Sequence, residues 1–184
     1  MVNEDTAGEE LIREFFEERG IDATIKQKVP NLTDDNKFFR EADFYLHRYD
    51  VYVEFLGQWN NYEHQKRYRQ KMAVYYKNNI PCVYLWPDNL GTLDWMFKRR
   101  LRETLLKYNK KWSLIKFEFD NLMKEHGFVF LILILAVFLV KGIVNKLTLL
   151  GLILFILADT VYKEIKKLRN IKKSRFATPI SDQN

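Results

Sequence analysis

The sequence predicts an α/β domain, a central mixed sheet flanked by helices, followed by a C-terminal α-helical transmembrane hairpin. Three observations carry this prediction. Residues 42–46 and 51–56 form two short runs rich in aromatic and β-branched residues, the composition of strands. A helical segment and a further short strand follow, in the order of a crossover unit. Finally, residues 128–162 are almost wholly apolar, whereas the chain before them is charged and aromatic.

A length of 184 residues allows one domain, or a small domain with an appendage. Hydrophobic residues at 47% suffice for a core, and charged residues at 29% exclude a mostly intramembrane protein. The formal net charge is +6, yet the first twenty residues are acidic, with Glu4, Asp5, Glu9, Glu10, Glu14, Glu17 and Glu18 against Arg13 and Arg19. Positive charge therefore gathers later in the chain, which favours polyanionic partners such as nucleic acid or anionic lipid. Cys82 is the single cysteine, so no internal disulfide forms and a reducing cytoplasm fits. No apolar run near Met1 resembles a secretory signal.

The elements follow in order. Residues 6–19 have helical spacing, with Leu11, Ile12, Phe15 and Phe16 on one face. Thr6 and Glu9 form a capping box, and Gly20 suits the helix stop. That pattern offers Glu9 a purely structural role at the helix end. Residues 21–29 alternate as a strand closed by Pro30, and a polar loop follows. Residues 42–46 and 51–56 make a β-hairpin turned by residues 47–50. A basic helix runs over residues 62–78, where Lys71 and Tyr75, four apart, share a face. Residues 80–86 form a short strand of the buried type, with Pro81 at its start and Pro87 closing it. A helix from Asn89 places Leu93, Phe97, Leu101 and Leu105 along one side. The first domain, 1–109, is thus α-β-β-β-α-β-α.

Residues 110–126 form an amphipathic helix that serves as a stalk, lies in the lipid interface or packs on the domain. In 127–162 two apolar runs are separated by Asn145 and Lys146, and each uninterrupted run falls short of the ~18 to 20 residues of a spanning helix. With Lys141 snorkelling, the first just suffices. An apolar hairpin of this size calls for lipid, spanning or re-entrant. Lysines and arginines flank the hairpin on both outer sides, and the positive-inside rule puts both termini and the first domain in the cytoplasm. Residues 163–184 form a basic, then disordered, tail.

Asp43 and Glu54 stand out because carboxylates within such strands are expensive to bury unless paired, hydrogen-bonded or metal-bound. Side chains pointing to solvent are the plain alternative. Taken with Glu9 before them and Lys71 and Tyr75 after them, and with the segments Asp43-Phe44-Tyr45-Leu46 and Tyr52-Val53-Glu54-Phe55-Leu56-Gly57, the pattern resembles the PD-(D/E)XK nuclease superfamily. It is most similar to the small branch that includes very-short-patch repair endonucleases and nuclease domains attached to some helicases. The resemblance spans residues 6–105 and none of the apolar part. It implies a restriction-endonuclease-like sheet in which Asp43 and Glu54 hold Mg²⁺, with Mn²⁺ able to substitute and the Phe55 carbonyl as a further oxygen ligand. Glu9 is then expected to reach the metal through water or to orient the attacking water. The family's lysine two places after the strand glutamate is missing, and Leu56 stands there. Lys71 is the expected replacement, with Tyr75 holding it or touching phosphate and Gln58 as a second candidate.

The resemblance implies a metal-dependent DNA endonuclease, and the apolar hairpin adds a membrane anchor. His64, Lys66, Arg67 and Arg69 on the first basic helix, and Lys98, Arg99 and Arg100 on the next, are expected to contact phosphates, with a solvated helix face as the plain alternative. A degenerate nuclease fold acting as a membrane adaptor, and a small toxin whose hairpin is the effector, are the alternatives. Expected partners are DNA, with RNA also compatible, and a bilayer bearing anionic lipids; a homo-oligomer stays open.

Overall fold

In the computed structural model the described residues are 6–29, 32–35, 37–139 and positions 147, 148, 150, 151, 153 and 155. Helix α1 (Ala7–Glu18) is capped by the Thr6 hydroxyl, which accepts from the Glu9 amide at 3.4 Å, and Gly20 turns the chain away at φ 60°. Strands β1 (Ala23–Val29), β2 (Arg40–Leu46) and β3 (Val51–Phe55) pair antiparallel in sequence order. Helix α2 (Tyr62–Lys77) begins where the Asn61 side chain accepts from the Glu63 and His64 amides. It crosses over to β4 (Cys82–Leu85), which pairs parallel with β3. The result is a four-stranded mixed sheet, β1-β2-β3-β4, flanked by helices.

The next helix starts later than the sequence predicts. A 3-10 turn, Pro87–Thr92, precedes α3 (Leu93–Lys107), because the Asn89 side chain folds back to accept from the Trp86 amide at 3.0 Å. Such local side-chain bonds compete with a regular helix.

Two apolar layers form on the sheet. The larger joins Ile12 and Phe16 of α1, Phe44, Leu46, Val51, Val53, Val83 and Leu85 of the strands, and Phe97, Leu101 and Leu105 of α3. The smaller joins Val29, Ala42, Tyr75 and Cys82, with α2 as its cover. Each fully buried Leu, Ile or Phe contributes about 1.5–3 kcal/mol. Cys82 is buried and free.

The first compact unit runs to Asn121, past the boundary at residue 109 that the sequence predicts. The reason lies at the start of α4 (Lys111–Leu139), where Phe117 is buried in the larger core and Leu114 packs against it. Arg102 clamps Glu118 through two bonds of 2.5 and 2.8 Å, and Arg48 does the same to Asp120 at 2.5 Å each. This stretch is therefore part of the domain, one of the three roles its amphipathic pattern allows.

The second unit begins at Leu122. Its part of α4 exposes Phe128, Val129, Leu131, Ile132 and Leu135. Among the described residues no helix is long and apolar enough to cross a membrane. Of the predicted hairpin, residues 140–146, 149, 152, 154 and 156–162 lie outside the described residues, as does the whole of the predicted tail, 163–184.

Candidate active site

The site forms where β2 and β3 part. The amides of Tyr52 and Leu56 donate on the β4 side, to the carbonyls of Pro81, just before that strand, and of Leu85. By alternation along a strand, the Phe55 amide then faces β2. The β2–β3 ladder stops one step short of it, at Phe44 opposite Val53. The Asp43 carboxylate takes the place of the missing strand partner and accepts from the Phe55 amide at 2.8 Å. Strand β2 also changes face here, since Phe44 and Leu46 belong to the larger core and Ala42 to the smaller. The gap this opens is bridged from α2. The Lys71 ammonium donates to the Glu41 carbonyl of β2 at 2.7 Å and to the Glu54 carboxylate of β3 at 2.6 Å.

Glu54 is 2% exposed, so the solvent-facing alternative is excluded for it. The fully buried Tyr75 hydroxyl donates to its other oxygen at 3.1 Å. Tyr75 therefore holds the carboxylate and cannot touch phosphate. Burial pushes the Glu54 carboxyl up to about 8, against the Lys71 ammonium that pulls it down, with the Asp43 charge raising it further. Burial raises Tyr75 as well, which keeps it a proton donor.

Glu9 enters from α1. Its amide is the one bonded to Thr6, but its carboxylate does not close a capping box; it accepts from the Lys26 ammonium of β1 at 2.7 Å. The same ammonium lies 3.5 Å from Asp43. Gly8 lets α1 approach this closely, for a Cβ there would stand 2.2 Å from the Phe55 ring. Lys26 is the residue that sequence reasoning misses. It has φ 52° in mid-strand, and the β1–β2 register skips Lys26 and Asp43 while keeping the pairs on either side. For a non-glycine residue that conformation costs about 1–2 kcal/mol. No local residue pattern announces it.

All four expected catalytic side chains, Glu9, Asp43, Glu54 and Lys71, line one cleft of about 840 Å³. Phe55, Gln58, His64, Arg67, Lys26, Lys37, Arg40 and Tyr68 line it too. Its outer lip carries Phe38, wholly exposed, and Phe39 under the Lys28 ammonium. A two-bond clamp of Arg40 on Asp35, 2.6 and 2.7 Å, fixes the chain before β2.

The expected phosphate contacts divide. His64 and Arg67 face the cleft, whereas Lys66 and Arg69 line a separate depression on α2 with Tyr62, Gln65 and Gln70. Lys98, Arg99 and Arg100 are not among the cleft residues. Lys98 pairs with Asp94, Arg99 with Glu103, and Arg100 stacks on Trp86 with its guanidinium 4.3 Å from the ring centre. Leu56, at the position of the absent lysine, is 1% exposed, a place where an ammonium would be desolvated.

Among the described residues no cluster of three or more Asp, Glu, His or Cys side chains is arranged to hold a metal ion. Two carboxylates on diverging strands nevertheless fit Mg²⁺, which takes one or two carboxylates and fills its remaining positions with water and substrate phosphate. The Phe55 carbonyl shares a strand edge with its amide and so faces the same gap. Comparison with family models, curated proteins and solved structures gives no match.

Glu54 makes folding pH-dependent in a defined direction. Its carboxyl titrates near 4.5 when unperturbed and near 8 in the fold. The stability this provides is complete below about 4.5 and is lost as pH rises through about 8, because the folded state must then hold a buried charge. In urea melts of the metal-free protein, wild type should lose roughly 2–5 kcal/mol relative to Glu54→Gln between about pH 5 and pH 9. A difference between the two that stays constant over that range contradicts the assignment.

Proposed function

We propose that the chain is a divalent-metal-dependent nuclease that hydrolyses DNA phosphodiester bonds. The observation that carries the proposal is the convergence of Glu9, Asp43, Glu54 and Lys71, from four different elements, on one cleft rimmed by cations. The resemblance of the sequence to PD-(D/E)XK nucleases supports the same reading. Asp43, Glu54 and the Phe55 carbonyl would hold Mg²⁺ or Mn²⁺. When bound, the ion supplies positive charge that acidifies water and offsets the charge of the reacting phosphate.

The chain's own residues do the rest. Glu9 orients a water for in-line attack and accepts its proton. The water oxygen bonds to phosphorus as the bond to the leaving oxygen breaks, and the leaving oxygen takes a proton from solvent. Lys71 favours the anionic form of Glu54 against the pull of burial, and Tyr75 fixes that carboxyl group in place. Arg67, His64 and Lys37 contact flanking phosphates, and the exposed Phe38 ring offers a stacking surface to a base.

With Mg²⁺, the purified full chain should cut plasmid or oligonucleotide DNA. Asp43→Asn and Glu54→Gln should each lower the rate on the order of 100-fold or more. Both variants cutting at the wild-type rate contradicts the proposal. A wild-type chain that binds DNA without cutting it supports the adaptor reading instead, for which the buried Leu56 at the lysine position is the favouring observation.

We further propose that the C-terminal part anchors this activity to a membrane, with the first domain on the cytoplasmic side. The exposed apolar side chains of Phe128, Val129, Leu131, Ile132 and Leu135 support this, since water is a poor cover for such a patch. The expressed chain should stay with the membrane fraction after alkaline carbonate washing. Full release into the supernatant contradicts anchoring.

A further inference from the structure

The cleft holds two lysines, and they stand in different places. Lys71 lies between β2 and β3, bound to Glu54 and to the Glu41 carbonyl, and its side chain is 19% exposed. Lys26 lies at the cleft mouth between α1 and β2, on Glu9 at 2.7 Å and Asp43 at 3.5 Å, and is 27% exposed. Its ammonium therefore occupies oxygen atoms that a metal ion on Asp43 would need.

An ammonium and a divalent cation compete for those oxygens. Like charges a few ångströms apart in a cleft with low-dielectric walls repel strongly, and hard cations take carboxylate oxygens directly. The Lys26 stem, however, is fixed in β1 by the ladder pairs on either side of it, Ile25 with Phe44 and Gln27 with Ala42. A displaced ammonium stays within the cleft and moves toward its open side.

We propose that Lys26 is an exchangeable cation of the site. In the metal-free protein it neutralises Glu9 and Asp43; when metal binds, its ammonium leaves Asp43 and meets the non-bridging oxygens of the substrate phosphate. Lys26 then supplies the charge-stabilising contact that Leu56 cannot make, while Lys71 serves as the positioning residue of Glu54. This rests on the nuclease reading of the cleft. It adds that metal and Lys26 compete for the same carboxylates.

Competition has a signature that a merely structural lysine lacks: metal affinity and cleavage move in opposite directions. In Mn²⁺ titrations of the purified full chain by calorimetry, Lys26→Met should bind Mn²⁺ several-fold more tightly than wild type. At saturating Mn²⁺ the same variant should cut DNA at least tenfold more slowly. Lys26→Gln takes its place where the methionine variant does not fold. Unchanged or weakened Mn²⁺ affinity, with wild type still cutting, overturns the role of Lys26 and leaves the nuclease reading standing. A wild-type chain that neither binds Mn²⁺ nor cuts overturns the nuclease reading and this inference with it.

Discussion

The Phe55 amide donates to the Asp43 side chain instead of to a neighbouring strand, and much of the site follows from that bond. A strand amide at the end of a ladder needs an acceptor, since leaving it buried and unmet costs about 1–3 kcal/mol. Using a carboxylate for the purpose ties an acidic group to the edge of β3, one residue from Glu54. It also lets β2 leave β3 without orphaning backbone groups, because Lys71 meets the exposed Glu41 carbonyl on the other side of the gap. Fold and site are thus not separable here. The split in the sheet is the cleft.

Charge is arranged in the same economical way. Each acidic side chain of the cleft centre has a lysine against it: Glu9 and Asp43 share Lys26, and Glu54 has Lys71. Without such a partner, burial would favour the protonated form of Glu54 still more strongly. The arrangement keeps the metal-free domain foldable while leaving oxygen ligands in place. Lysines also stand among the three acidic residues Glu9, Asp43 and Glu54, which among the described residues form no ready metal cage. The carboxylate oxygens are present, and ammonium groups stand among them.

Much of this is legible in the residues, for identifiable reasons. Asp43 and Glu54 are visible because a carboxylate inside an aromatic and β-branched run is out of place. Lys71 and Tyr75 are visible because a spacing of four puts both on one helix face. Glu9 reads equally well as a helix cap, and only its contact with Lys26 separates the two roles. Lys26 itself is silent in sequence, since its approach to Glu9 and Asp43 depends on a left-handed backbone at a non-glycine position. Lys98, Arg99 and Arg100 lie away from the cleft residues. Charge density marks them, whereas position in the fold gives them partners on α3 and at Trp86. The predicted domain end misses Phe117 because one helix carries both a packed first stretch and an apolar second one.

The central claim is that the carboxylates flanking the β2–β3 gap are metal ligands held in reserve by lysines. A crystal of the full chain soaked in Mn²⁺ and measured at the manganese absorption edge tests it most directly. The account predicts an anomalous peak between the Asp43 and Glu54 carboxylates, at about 2.1–2.2 Å from an oxygen of each, with the Lys26 ammonium moved off Asp43. A fully occupied soak with no peak there, and both lysines still bridging the carboxylates, would contradict it.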